Sequence, residues 1–436
     1  AERRPAMWSA IGAASIGIGL MLKGLIAAVF PLAAVILFLA FTGEWRDRST
    51  WRRLHPFWGL LIVLAVAGPW HVLATLRNPP YFDFTMHSAP GEYRGFFWFY
   101  FFNEHLLRFL NLRYPRDYNT VPRLYFWLFH LLWLFPWSVY LPAVAKLSFR
   151  PLDRAGRMRL LCLCWTGFIL VFFTFSTTQE YYSMPCYPAL ALLIGSALTE
   201  QNAARWIRIG QRVLAGVAAA ATLAIAIILS QVWSLPAPGD ISRALAHHPE
   251  LYTLSLGHMG DLTMSSFAYL RTPLVLAGIA FLVGAIASWR GKIAGAVVMM
   301  VLFVHAARLA LVVFDPYLGS RPLAEALNRA PRGTLILGGQ YYAFSSIVFY
   351  AEAYHGQREL LLNGRANNLE YGSYAPGAPI DIFIDDSGFR QRWLSDGLYY
   401  ICVEQPEVAH LESLVGREAL HPMIESGGKI LFTNRG

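Results

Sequence analysis

The chain has 436 residues, of which 56% are hydrophobic, 15% aromatic and only 14% charged; with a mean hydropathy of +0.41, this composition excludes an ordinary soluble globular protein. Its formal net charge of +9 does not point to nucleic acid, because the cytoplasmic loops of a multi-pass membrane protein are a simpler home for basic residues. Cys162, Cys164, Cys186 and Cys402 contain no CxxC pair, so no metal site, disulfide or cofactor is predicted.

Apolar runs long enough to span a bilayer, or nearly so, occupy about nine segments: 7–22, 25–43, 57–76, 122–145, 160–175, 185–199, 212–233, 272–289 and 293–314. Several are short, which predicts tilted or half-length helices. Alternate connections differ in basic residues. One set holds Arg3 and Arg4, the Arg46 to Arg53 group, the Lys146 to Arg159 group, the Arg205 to Arg212 group, and Arg290 with Lys292. The other holds Lys23, Arg77, Arg94, Arg108, Arg113, Arg116, Arg243 and Arg271, spread over longer loops. The positive-inside bias makes the first set cytoplasmic. Lys23, the 77–121 loop, the 176–184 loop, the 234–271 loop and everything beyond about 315 then face outward.

That sidedness collects the unusual residues on one surface. Lys23, in GLMLKGLIA, sits at a Lys-Gly break between two apolar segments, where a cation is costly without a partner or access to the interface. A lysine snorkelling from a helix end fits the same facts. Phe96 to Asp117 reads FFWFYFFNEHLLRFLNLRYPRD, and helical spacing puts Glu104 and Arg108 on one face with His105 beside them. Such a cluster can hold a phosphate at a membrane surface; an aromatic belt with an intrahelical ion pair is the plainer alternative. The short loop FSTTQEYYSMPCYP supplies Ser176, Thr177, Thr178, Gln179, Glu180, Tyr181 and Tyr182, either as an interfacial turn or as a third wall of a headgroup cavity.

From Asp315 onward the pattern becomes interrupted and periodic. Helices are predicted at 321–330, 341–354, 389–394 and 406–415, and strands at 334–339, 358–363, 380–386, 398–403 and 429–433. The alternation predicts a small α/β domain with a mixed sheet over 315–436, behind a membrane domain over 1–314. Gly338-Gly339 reads as a strand-ending turn rather than a phosphate loop, and Asp385-Asp386 as a helix N-cap rather than a metal pair.

The LKG break, FFNEHLLRF and FSTTQEYYSMPCYPALALLIG, in that order, resemble the dolichyl-phosphate-mannose protein mannosyltransferase superfamily. Within it they are most similar to the bacterial membrane glycosyltransferases that include the lipid A aminoarabinose transferases. The resemblance covers residues 7–200 well and the remainder loosely. It implies a mainly α, polytopic transmembrane GT-C fold with a small C-terminal α/β outer domain, in the inner membrane. The implied activity is transfer of a sugar from a polyprenyl-phosphate donor to a lipid, glycan or protein acceptor on the outer face. Lys23 and Arg108 match the family's donor phosphate-binding residues; Glu104, His105, Glu180 and Tyr181 are candidates for positioning.

Two departures qualify that expectation. The family's acidic base lies in a first outer loop, upstream of anything matching Ala1, so the catalytic residue is not assigned and the resemblance implies that this chain lacks several N-terminal helices. Gln179 and Glu180 stand where aminoarabinose transferases have a basic Lys-Leu-Pro-like stretch, which leaves the acceptor open. A lipid or sugar transporter would show polar residues deep in several helices and a paired repeat, and neither is evident. A non-catalytic membrane scaffold with a periplasmic binding domain is the remaining alternative.

Overall fold

The structure, a computed structural model, describes residues 4–116, 120–176, 178–248, 251–252, 254–354 and 356–436. Arg3, Asp117 and Thr177, named above, lie outside the described residues. Among the described residues, six helices are long and apolar enough to cross a membrane: Pro5–Lys23, Arg48–Arg77, Arg154–Phe175, Gln201–Val232, Arg271–Trp289 and Ala294–Leu318. The other three predicted segments are helical but are not single full-length spans. Ile26–Thr42 has 17 residues, Tyr187–Leu198 has 12, and Arg123–Trp133 with Trp137–Val144 is bent by 97°. Pro136 is the cause of that bend, since a proline cannot donate to the helical ladder and restricts the residue before it. Large apolar side chains such as Leu22, Leu64, Leu223 and Val301 point outward, as lipid-facing surfaces require.

The chain divides into two compact units, residues 1–213 with 253–255, and residues 214–252 with 256–436. In the first, α1 (Pro5–Lys23) packs on the helix Pro56–Arg77, and a side chain added at Gly17 would stand 2.9 Å from Val66 Cβ. Small residues permit this close approach, which supplies the packing where water cannot drive association. Helix α2 (Ile26–Thr42) packs on Arg154–Phe175, with Phe30 set edge-on against Phe172 and Phe173 at 5.3 and 5.6 Å between ring centres. Asp153 caps the latter helix by accepting from Gly156 N at 2.6 Å. Arg157, a turn further on, forms an ion pair with Glu44.

In the second unit, Arg271–Trp289 and Ala294–Leu318 form a helical hairpin in which Gly284 abuts Met299 and Gly295 abuts Ala287. The six-stranded sheet has the order β3-β2-β1-β4-β6-β5. Strands β1 (Thr334–Gly338), β2 (Leu360–Leu362), β3 (Phe383–Ile384) and β4 (Tyr399–Glu404) are parallel; β5 (His421–Ser426) and β6 (Lys429–Thr433) pair antiparallel. Leu337, Phe344, Ile347 and Cys402 fill one face, and Ile336, Phe389, Trp393 and Ile401 the other, so both faces of the parallel part are covered. Strand β5 escaped the sequence reading because HPMIES is an edge strand with largely solvated side chains, which leaves no apolar run. Asp385 accepts from Gly388 N at 2.7 Å, the N-cap of Asp386–Trp393, and Gly339 takes a left-handed φ of 70° after β1. These are the structural roles expected for both motifs.

Lys429 is buried. Its Nζ donates to Tyr317 O at 2.7 Å and Gly319 O at 2.9 Å, closing the C-terminal end of Ala294–Leu318. Burial lowers its pKa, partly opposed by Glu404. Lys429→Met is expected to lower stability by about 2 kcal/mol through loss of two charge-assisted bonds, read as an earlier thermal unfolding of the purified full chain; unfolding at the wild-type temperature would refute the role.

Candidate functional site

The stretch Phe99–Leu107 is a π-helix of nine residues, an uncommon winding that concentrates at functional sites. The sequence spacing implied an ordinary helix. Both geometries bring Glu104 to Arg108, and the carboxylate does accept from Arg108 Nη1 at 3.3 Å. The wider winding also leaves the Tyr100 carbonyl facing His105, whose Nδ1 meets it at 2.5 Å. His105 is therefore tied to its own helix's backbone, and Glu104 and Arg108 stay within electrostatic range of the imidazole.

Its ring reaches the break between the first two helices. Leu25 N donates to His105 Nε2 at 2.9 Å, and Tyr100 Oη donates to Leu20 O at 3.2 Å. Lys23 ends α1, exposed; among the described residues its side chain has no hydrogen bond or ion pair. The break and the π-helix, separated by 80 residues in sequence, are thus one local structure.

Two residues to which the sequence reading assigns no role of their own complete the cluster. Arg113, 3% exposed, donates from Nε to Glu104 Oε1 at 2.6 Å, so Glu104 serves two guanidiniums. Asn111 adopts a φ of 62°, with Asn111 N to Arg108 O at 3.1 Å and Leu112 N to Leu107 O at 2.7 Å. That pair of bonds is a Schellman end, which turns the chain back and returns Arg113 to Glu104. An asparagine closing a helical pattern is its legible signal. The second residue is Tyr182, whose Oη lies 3.4 Å from Arg108 Nη2. Its neighbour Tyr181 contacts the Tyr182 ring edge-on at 5.2 Å, and burial raises its pKa.

Glu180 is drawn elsewhere. It is 2% exposed, and Oε1 accepts from Ser255 N at 2.7 Å, anchoring residues 254–255 to this unit. Thr178 O accepts from Val121 N at 3.0 Å. Asn103, fully buried, donates to Tyr114 O at 2.8 Å and accepts from Ser88 Oγ at 2.9 Å; it staples the two loops flanking the π-helix. Arg94 does similar work with Asp83 at 3.0 Å and Glu92 at 2.9 Å; hydrogen bonds from Thr85 and then Arg94 hold the Asp83 carboxyl below its ordinary pKa against the effect of burial.

A cavity of about 510 Å³ in the second unit is lined by Asp240, Tyr269, Arg271 and Val312 among others. Its charged groups are already engaged with backbone: Asp240 accepts from Gly427 N at 3.1 Å, and Arg271 donates to the carbonyls of Val232 and Leu235. The first unit, by contrast, holds an exposed ammonium and a guanidinium that is 36% exposed. An ammonium and a guanidinium are each groups that can stabilise a phosphate.

No family model matches the chain. It is 26% identical over 404 residues to the undecaprenyl phosphate-alpha-4-amino-4-deoxy-L-arabinose arabinosyl transferase of Erwinia tasmaniensis, covering 89% of this chain and 62% of that protein. It is likewise 26% identical over 266 residues to a protein of the same description from Pseudomonas fluorescens, covering 58% of this chain and 39% of the relative. The chain therefore spans less than two thirds of the length of these relatives. The crystal structure of ArnT from Cupriavidus metallidurans bound to undecaprenyl phosphate superposes with a TM-score of 0.67 at 19% identity, over 99% of this chain and 69% of that one. The chain is similar in sequence to bacterial undecaprenyl phosphate-aminoarabinose transferases and has the fold of ArnT, a GT-C-like helical membrane domain followed by a small α/β domain.

Proposed function

We propose that this chain is the donor-phosphate-binding portion of a membrane glycosyltransferase, which moves a sugar from a polyprenyl-phosphate donor to a lipid, glycan or protein acceptor on the outer face of the inner membrane. The observation that supports it most is the joining of Lys23, at its helix break, to the turn that presents Arg108, in a chain similar to transferases named for an undecaprenyl-phosphate sugar. As the glycosidic bond breaks, negative charge develops on the departing phosphate. Cations held in place before the reaction stabilise that charge without reorganising. Arg108 offers a planar fork and Lys23 a mobile point charge, a division of labour that suits a phosphate monoester. In this reading residues 1–314 form the membrane domain and 315–436 an outer domain; the basic loops, including Arg46 to Arg53 and Lys146 to Arg159, lie in the cytoplasm. Glu104 positions Arg108, while Glu180 and Tyr181 shape the loop that carries Tyr182.

The test is titration of the purified full chain with undecaprenyl phosphate. Lys23→Gln is expected to weaken binding about tenfold or more, the value of one charge-assisted contact, with unchanged thermal unfolding. Affinity equal to wild type would reject the phosphate role of this surface.

A further inference from the structure

We infer that His105 is a positioning residue for Lys23: its imidazole bridges the break between α1 and α2 and fixes the direction in which the lysine leaves the helix. This deepens the proposed function and rests on Lys23 meeting the donor phosphate. Three observations carry it. Gly24 is buried at a φ of 87°, and a Cβ there would collide with His105 Nε2; the ring fills the notch that the missing side chain leaves. Gly24 N donates to Leu20 O at 3.1 Å, and Tyr100 Oη donates to the same carbonyl, so the last turn of α1 is held from the π-helix. Leu25 N, the first amide beyond the break, donates to Nε2. Lys23 lies between these two anchors.

The partners also assign the proton. Leu25 N can only donate, so Nε2 is an acceptor, and Nδ1 carries the hydrogen toward Tyr100 O. Only neutral imidazole can make both bonds. Tyr100, Glu104 and Arg108 act on the ring from its own turn; His71, on Pro56–Arg77, reaches the cluster through the Tyr100 ring at 4.8 Å. Burial is the largest influence on His105 and pushes its pKa below the ordinary value; Arg108 acts in the same sense, and Tyr100 O and Glu104 oppose it. Because the folded value is depressed, the unfolded chain binds the proton more tightly. The stabilisation by neutral His105 is complete above about pH 6.5 and is lost as pH falls through the lower folded value.

The experiment is titration of the purified full chain in detergent with undecaprenyl phosphate at pH 7.5, alongside thermal unfolding. His105→Phe keeps a ring in the notch but cannot accept from Leu25 N; about a tenfold loss of affinity at pH 7.5 is expected, the scale of a small misplacement of a binding group. His105→Gln can accept from Leu25 N through its amide oxygen and should recover most of that loss. Wild-type affinity in His105→Phe, or no recovery of affinity in His105→Gln, overturns the inference. Lys23→Gln in the same titration separates the two ideas: if it binds as wild type, the phosphate reading fails as well, and if it binds weakly while His105→Phe binds normally, only the bridging role fails.

Discussion

In a transferase of which this chain is proposed to be the donor-binding part, Arg108→Ala is expected to reduce turnover by about 100-fold or more, measured as release of undecaprenyl phosphate from its sugar-linked form, because removing one preorganised donor to a developing oxyanion costs about that much. The guanidinium is 36% exposed and reaches past Glu104 toward Tyr182, so thermal unfolding should shift little. Arg108→Lys keeps the charge and loses the fork; it should recover only part of the rate, since a point charge does not reproduce a bidentate contact. Tyr182→Phe removes a hydroxyl 3.4 Å from Arg108, a long contact, and should cost far less. The ordering of the three variants matters as much as the first value. Equal losses in Arg108→Lys and Arg108→Ala would mean that shape, not charge, is what the phosphate reads, and turnover of Arg108→Ala within about threefold of wild type would remove Arg108 from the mechanism.

The largest effect on stability is expected at Glu104. Its carboxylate accepts from Arg113 at 2.6 Å and Arg108 at 3.3 Å, and Arg113 is almost entirely shielded from water. Glu104→Ala therefore removes one of the groups that compensate a buried cation, a change worth about 3 kcal/mol, the low end for buried pairs because Glu104 keeps 20% of its side chain exposed. A double variant, Glu104→Ala with Arg113→Met, should regain part of that loss, since an apolar chain needs no counter-charge. Additive losses in the double variant would show that the pair does not act as a unit. Donor binding should fall in Glu104→Ala as well, because Arg108 loses the contact that orients it.

Much of this arrangement was legible before the structure. The Glu104–Arg108 contact follows from spacing along one turn, and most of the strand and helix order of the C-terminal domain, β5 and the helix Asn368–Ser373 excepted, follows from interrupted periodicity. Arg113 was within reach of the same reasoning, since Asn111 marks a helix end that folds back on itself. His105 was not: adjacent residues on a helical segment diverge, and which of two neighbours faces the helix break depends on the wide π winding that Phe99–Leu107 adopts. Glu180 was expected near the charged cluster and instead receives Ser255 N. A carboxylate in a short loop has no periodicity to fix its direction.

The sequence by itself determined that the chain lives in a membrane, where its apolar segments lie, and which residue types stand near the ends of those segments. These are properties of local composition: transfer of apolar side chains out of water and the spacing of residues along a single helix need no knowledge of partners. Only the tertiary structure decided that His105 closes the Lys23–Gly24 break, that Tyr182 rather than Tyr181 meets Arg108, and that Arg113 shares Glu104. Those contacts join positions 80, 74 and 9 residues apart, and a hydrogen bond needs its atoms placed to within a few tenths of an ångström. Such placement comes from the packing of whole helices, which no window of sequence contains.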